Sequence, residues 1–224
     1  MTNLFVNYYQ DPNIVRANEI DFCIYANLVS GNFDNVYIHV SPSDVKRLTQ
    51  ILDMDVIKTK PKISITTQRA TYKGYLELMR VLCDDEDITV FCNADIMVNA
   101  KDFSDYFGKL DDNKNVCLAL CRYEWHPKQE PVFFDRSDSQ DAWAFCGVPK
   151  MELLQRDIDF QLGIAGCDNR FAYELEQGGY NVLNPSKTIT TFHFHDSEIR
   201  NYLGNNGTPT ERIPPPYKLI EPTY

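Results

Sequence analysis

Asp87-Ile88-Thr89-Val90-Phe91-Cys92-Asn93-Ala94-Asp95-Ile96-Met97-Val98 is the stretch that decides the fold. Ile88 to Phe91 is apolar, β-branched and short, the pattern of a strand buried on both faces of a parallel sheet. At its carboxyl end the polarity reverses. An amide and a carboxylate stand two residues apart, and Ile96-Met97-Val98 then resumes the apolar run. Ligands of open α/β sheets bind outside the carboxyl ends of the strands. Oxygen ligands at i and i+2 across such a break suit a divalent cation held against a diphosphate. Asn and Asp are also the residues that close turns, so both readings of this stretch stay open.

Working outward toward the start of the chain, residues 4–9 read as a first strand. Asp11 is the expected cap of the following helix, with Pro12 at its first position. Ile14, Ala17, Ile20, Ile24 and Leu28 recur at helical spacing until Ser30-Gly31-Asn32 ends the pattern. Residues 36–40 form a second strand, and Ser41-Pro42-Ser43-Asp44 opens a second helix carrying Val45, Leu48, Ile51 and Leu52. Residues 54–57 make a weaker third strand. This βαβ order predicts a parallel sheet. Residues 58–62 are a basic, proline-containing connection, and residues 66–72 lead into a helix through Tyr75, Leu78, Met79 and Leu82. Residues 84–87 read as a solvated acidic turn.

Downstream, residues 102–110 are a short helix and residues 116–123 the longest clear strand. Residues 124–136 form a polar loop, suited to a lid, an acceptor platform or a plain connection. Residues 142–146 are another apolar strand, residues 151–155 a helical turn, and residues 170–177 a helix behind a Gly-rich turn. A short strand at 181–184 precedes an alternating segment at 188–195. From residue 204 the Asn, Gly, Thr and Pro content predicts an extended tail with little core of its own, leaving residues 1–203 as one α/β domain.

A formal charge of -10 excludes a general nucleic-acid surface, which needs clustered Lys and Arg. A nucleotide held through a cation remains compatible. The seven cysteines are scattered with no C-x-x-C spacing, so they read as reduced, buried thiols of a cytoplasmic protein. No apolar stretch approaches the ~20 residues of a membrane span, and the first residues lack the basic start of a signal peptide.

Three polar clusters fall at ends of apolar strands. The first is Asn93 and Asp95. The second is Asp168, whose alternative reading is a helix N-cap. The third is His193 and His195, which as i and i+2 of a strand face one side. They suit either a metal shell shared with Asp95 or a structural pair, and Asp196 beside them could orient an imidazole. Arg69, at a helix entrance, could meet a phosphate with free helix N–H groups. P-loop, dinucleotide-fold, serine-hydrolase and zincin motifs are all missing from the sequence.

The order of these parts resembles a GT-A glycosyltransferase. It is similar to a small viral and bacterial group that includes the N-terminal glycosyltransferase domain of a chlorella-virus protein. The likeness is carried by Asn7-Tyr8-Tyr9, Arg69-Ala70-Thr71-Tyr72, Asn93-Ala94-Asp95-Ile96, Asp138-Ser139-Gln140-Asp141-Ala142-Trp143, Gly166-Cys167-Asp168-Asn169-Arg170 and His193-Phe194-His195. It implies a single GT-A domain with a mostly parallel central sheet flanked by helices. It also implies a nucleotide-sugar donor, UDP-linked and bound with Mn²⁺ or Mg²⁺, and a glycan acceptor such as a cell-surface or capsid glycan. By resemblance Asp95 is the metal-binding Asp, and His195 or His193 the late metal-binding His. Asn7, Tyr8 and Arg69 fall where the base and diphosphate are held, and Tyr72, Asn93 and Ala94 lie in the same donor-binding motifs. Asp168 matches the catalytic base of inverting members, and Asp141 lies near the donor sugar. Asn93 stands where most members have Asp. Two other readings share this sheet: a nucleotidyltransferase and a catalytically silent nucleotide-sugar-binding domain. The first expects a Gly-rich, basic loop where this chain has Asn7-Tyr8-Tyr9-Gln10-Asp11-Pro12; Asn93 is the one feature supporting the second.

Overall fold

The computed structural model describes residues 1–197 and 209–224. Its elements run β1 (Thr2–Tyr8), α1 (Ile14–Ser30), β2 (Asn35–Val40), α2 (Val45–Leu52), β3 (Lys62–Ile65), α3 (Tyr72–Leu82) and β4 (Ile88–Cys92). Then follow β5 (Ile96–Val98), α4 (Lys101–Phe107), β6 (Val116–Leu120), β7 (Tyr123–Trp125) and β8 (Val132–Phe133). The last are β9 (Ala142–Cys146), α5 (Met151–Leu154), α6 (Cys167–Gln177), β10 (Asn181–Leu183) and β11 (Thr191–Phe194). A seven-stranded sheet has the order β10-β6-β9-β4-β1-β2-β3, and a four-stranded sheet the order β5-β11-β7-β8.

The large sheet is parallel except for β9, which runs antiparallel between β4 and β6. All five residues of β4 are buried, as its unbroken apolar run requires. One face of the sheet packs Leu4, Val6, Ile38 and Val90 with Ile20 and Ile24 of α1, Leu48 of α2 and Phe103 of α4. The other packs Phe5, Phe91 and Trp143 with Tyr75 of α3, Leu153 of α5 and Phe171 of α6. This three-layer α/β domain, mostly parallel at its centre and flanked by helices, is the expected fold class. Among the described residues no helix is long and apolar enough to cross a membrane. All seven cysteines are free.

Several local expectations are corrected. The cap of α1 is Asn13, not Asp11: Asn13 Oδ1 accepts from the N–H of Val15 and Arg16, while Asp11 Oδ1 accepts from Asn13 N–H at 2.8 Å. Residues 54–57 are turn, and the third strand is β3, which begins one residue after Pro61. The difference is pairing, not burial. Both stretches are largely exposed, but Lys62 to Ile65 pair with Tyr37 to Val40 at the sheet edge, and residues 54–57 pair with no strand among the described residues. Asp87 is not solvated: it is 3% exposed, and its Oδ2 accepts from Asn3 Nδ2 at 3.0 Å.

The run 116–123 is two strands. At Cys121-Arg122 the chain leaves the large sheet for the small one, and side chains take over the backbone bonds. Ser186 Oγ accepts from Cys121 N–H, and Thr191 Oγ1 donates to Cys121 O, each at 2.8 Å. Most of the expected loop 124–136 belongs to the β7–β8 hairpin, which starts at Tyr123. The segment after residue 208 does contribute to the core, because Ile220 is 5% exposed and joins the cluster containing Trp143 and Phe171.

Candidate functional site

The antiparallel β9 is what assembles the site. It pairs with β4 so that Ala142 lies opposite Cys92, which brings the residues preceding β9 to the carboxyl edge of β4. Asn93 N–H donates to Asp141 O at 3.0 Å, and Asn93 Nδ2 donates to Asp141 Oδ1 at 3.0 Å. The other oxygen of Asp141 accepts from Arg122 Nη1 at 2.7 Å. Arg122 Nε donates in turn to Glu124 Oε1 at 2.8 Å, with the guanidinium 4.4 Å from the centre of the Phe134 ring. Arg122 is 5% exposed, so it is a buried cation shared by two carboxylates.

Glu124 leads to the second half. The parallel pairing of β7 with β11 sets His193 opposite Glu124, and the antiparallel pairing with β5 sets it opposite Ile96, next to Asp95. His193 Nδ1 lies 3.1 Å from Glu124 Oε2, and His193 Nε2 lies 3.0 Å from Asp95 Oδ2. His195 Nε2 lies 2.6 Å from the same Glu124 oxygen. The i, i+2 histidines thus face one side, as the strand spacing predicts. Arg16, in the first turn of α1, pairs with Asp95 Oδ2 and, at 2.7 Å, with Glu19 Oε2. Glu19 Oε1 accepts the N–H groups of Asp196 and Ser197 at 2.7 and 2.5 Å, anchoring the chain just past the histidines.

The electrostatics follow from this alternation of charges. Burial works against an ionised Asp95, but His193 and Arg16 hold its carboxyl well below the ordinary range. Burial likewise opposes the charge on Glu124, while His193, His195 and Arg122 pull its pKa down. Burial lowers the pKa of His193, yet Asp95 and Glu124 outweigh it and raise the value to about 9.

Asp168 lies in the first turn of α6. It is not the cap, since Gly166 holds that place in a left-handed conformation. Its Oδ1 accepts from the hydroxyl of the fully buried Tyr72 at 3.0 Å. Burial, then the charge of Asp141, raise the Asp168 pKa to about 7. Tyr72 itself sits among Phe91, Trp143 and Phe171 and supports Asp168 from below.

At the end of β1 the two neighbours separate, because successive strand residues face opposite sides. Asn7 Oδ1 accepts from Ala70 N–H at 2.9 Å, fixing the entrance of α3. Arg69 there lies with its guanidinium 5.0 Å from the centre of the Tyr9 ring and beside Gly163. Tyr8 instead points into the α1–α2 face and donates to Asp21 Oδ1 at 2.7 Å, away from Asn7 and Arg69. Ala94 is buried in that same apolar cluster.

Glu124, His193 and His195 offer ligand atoms within 4.8 Å of one another. Two imidazoles and a carboxylate, with Asp95 against His193, form a donor set that fits a divalent first-row ion. Arg16, Glu19, Arg122 and Glu124 are members of the site that the sequence reading missed. Arg16, Glu19, Cys23 and Asn27 are all buried on α1 at spacings of three and four, a polar stripe that marks a helix face turned toward a polar site. Glu124 carries no comparable signal, since it follows an apolar run as any loop acid does.

No family model matches the chain, and no curated protein does. Solved structures do. TarS 1-349 of S. aureus in complex with UDP-GlcNAc superposes with a TM-score of 0.57 at 12% identity, covering 89% of this chain and 60% of that one. The mannosyltransferase PcManGT of Pyrobaculum calidifontis, in complex with GDP-Man and Mn²⁺, gives 0.52 at 18% identity, covering 90% of this chain and 58% of that one. The chain therefore spans about 60% of the length of TarS 1-349 and matches it in fold. Its mixed α/β architecture is the one these glycosyltransferases share, in keeping with the GT-A arrangement that the sequence resembles.

Proposed function

We propose that this protein is a glycosyltransferase that moves a sugar from a nucleotide-linked donor, UDP-linked by the motif resemblance, to a hydroxyl of a glycan. The observation that carries the reading is convergence. Asn93 with Asp141, Asp95 with His193 of the small sheet, and Asp168 with Tyr72 come from separate elements to the region beyond the carboxyl end of β4, where α/β ligands bind. The fold shared with proteins holding UDP-GlcNAc and GDP-Man supports the same donor class.

Glu124, His193, His195 and Asp95 would hold a divalent cation, and two imidazoles among the ligands suit Mn²⁺ better than the Mg²⁺ the resemblance also allows. When bound, that ion supplies positive charge for the leaving diphosphate. Asn7 fixes Ala70 N–H at the entrance of α3, and this leaves Arg69 beside Tyr9 to receive phosphate oxygens. Asp141 is held from both sides by Asn93 and Arg122, so it orients the donor sugar rather than moving. Asp168 accepts the acceptor proton as the acceptor oxygen bonds the anomeric carbon, and the bond from that carbon to the diphosphate oxygen breaks toward the diphosphate. A base with a pKa of about 7 is well matched to neutral pH. The motif order further supports a place near the small viral and bacterial group.

A thermal-shift panel of UDP- and GDP-sugars, each with and without Mn²⁺, tests the reading. A donor that binds raises the Tm as its concentration exceeds Kd. No shift with any donor would refute it.

A further inference from the structure

The segment 209–224 touches three loops that carry or precede candidate site residues. Against the Asp168 loop, Ile213 N–H donates to Ala165 O at 2.9 Å, and Arg212 pairs with Ala165 in a parallel bridge. Lys218 N–H donates to Asn169 O at 2.9 Å, one residue past Asp168. Ahead of Asp141, Ile220 N–H donates to Ser137 O at 2.9 Å. Ahead of β11 and its histidines, Thr223 N–H donates to Asn184 O at 2.7 Å, and Thr223 O accepts from Lys187 N–H at 3.1 Å.

The contact is tightest at Gly166, whose φ is +82°. A Cβ there would lie 2.8 Å from the Tyr217 hydroxyl oxygen and 2.9 Å from Ile213 O, so only hydrogen fits beneath the strap. Tyr217 closes this contact by donating its hydroxyl to Ile213 O. Below it, Arg170 of α6 donates Nη1 to the carbonyls of Pro214 and Pro215 at 3.2 and 3.3 Å. The loop being held has left-handed glycines at both Gly163 and Gly166, a backbone with wide freedom when unpinned.

We propose that residues 212–223 are a strap whose seating on Gly166, with Tyr217 as the positioning residue, sets the place of Asp168 against the acceptor hydroxyl. This rests on the reading of Asp168 as the acceptor base. Misplacement of a reacting group by about 1 Å lowers rates by about 10²-fold, so a pinned loop has a direct kinetic consequence. The strap's hydrogen bonds with Ala165, Asn169, Ser137, Asn184, Lys187 and Arg170 seat it, and among the described residues none goes to Asn7, Arg69 or Asp95. Arg69 meets the pinned loop beside Gly163 and is held over Tyr9, so release of the strap should change donor binding little.

The test uses the full chain and compares wild type with Tyr217→Ala and Tyr217→Phe, the latter keeping the ring on Gly166. Three quantities are measured: amide hydrogen exchange, UDP affinity with Mn²⁺, and UDP release from UDP-glucose, UDP-galactose and UDP-GlcNAc, with water as acceptor. In Tyr217→Ala the amides of residues 163–169 should exchange about tenfold faster while those of β4 and β6 stay unchanged. UDP affinity and donor KM should stay within about twofold, and kcat should fall about tenfold or more. Tyr217→Phe should keep kcat within about threefold of wild type. Unchanged exchange at 163–169, or unchanged kcat, would overturn the proposal. So would faster exchange spread over β4 and β6 with a matching loss of UDP affinity, the mark of a general packing defect. A wild type that neither binds UDP nor releases it would sink the glycosyltransfer reading instead, while the exchange comparison still decides whether the strap pins the loop.

Discussion

His193 Nε2 and Asp95 Oδ2 stand 3.0 Å apart, so the last strand of the small sheet is tied directly to the polar break after β4. Arg16 reaches the same Asp95 oxygen from α1, and Glu124 takes the other imidazole nitrogen at 3.1 Å. Charges alternate along the whole set, each buried group held by its neighbours. Asp95→Ala should therefore destabilise the metal-free protein by about 3 kcal/mol in chemical denaturation, because without a bound cation it strips a buried guanidinium and an imidazolium of their shared anion. An unchanged denaturation midpoint would show that the pair contributes nothing to the fold.

Glu124 is the acid that both histidines face. Glu124→Gln should weaken Mn²⁺ binding about tenfold or more, read from free Mn²⁺ by electron paramagnetic resonance. If the affinity is unaltered, the ion is held elsewhere.

Asn93 stands where the resembling family has Asp, and its geometry explains the amide. It donates to Asp141 Oδ1, a role a carboxylate cannot fill. Asn93→Asp should lower the Tm at pH 8, where two carboxylates would face each other, and lower it much less at pH 5. A higher Tm at both values would mean that the amide is not needed there.

Asp168 gives the pH dependence. Its folded pKa is about 7 against an ordinary 3.8, so between those values the folded chain binds the extra proton and stability falls as pH rises. Above about 7 both states are ionised and the slope vanishes. Asp168→Asn removes this loss, so its Tm relative to wild type should climb from pH 4 to pH 7 and then level off. Transfer should be lost in the same variant with UDP binding retained, and wild-type turnover should rise through pH 7. A constant Tm difference across the range would remove the buried-carboxyl account.

The layer order was legible from strand 88–91 outward, because full burial forces an unbroken apolar run and helical spacing marks the flanking faces. The edge strand β3 was not, since a half-exposed strand carries little periodic signal and the apolar pair Met54 and Val56 misled. Asp95, Asp168 and the histidines were visible as polar residues at strand and helix ends. Arg122 and Glu124 were hidden because the strand 116–123 reads as continuous, whereas side-chain bonds at Cys121 turn it into the second sheet. Tyr8 lies on the other face from Asn7 and Arg69 for a simpler reason: resemblance places a motif, and strand alternation decides which of its residues faces which side of the sheet.

That placement of Tyr8 is itself testable. Tyr8→Phe loses one hydrogen bond to Asp21 and should cost about 1 kcal/mol of stability, with UDP affinity unchanged. A marked loss of UDP affinity would return Tyr8 to the donor site.

The most direct test of the central claim is calorimetric titration of UDP into wild type and Asp95→Ala, with Mn²⁺ and with chelator. UDP should bind wild type in Mn²⁺, bind weakly in chelator, and gain nothing from Mn²⁺ in Asp95→Ala. Equal, Mn²⁺-independent binding by both proteins, or no binding by either, would contradict the account.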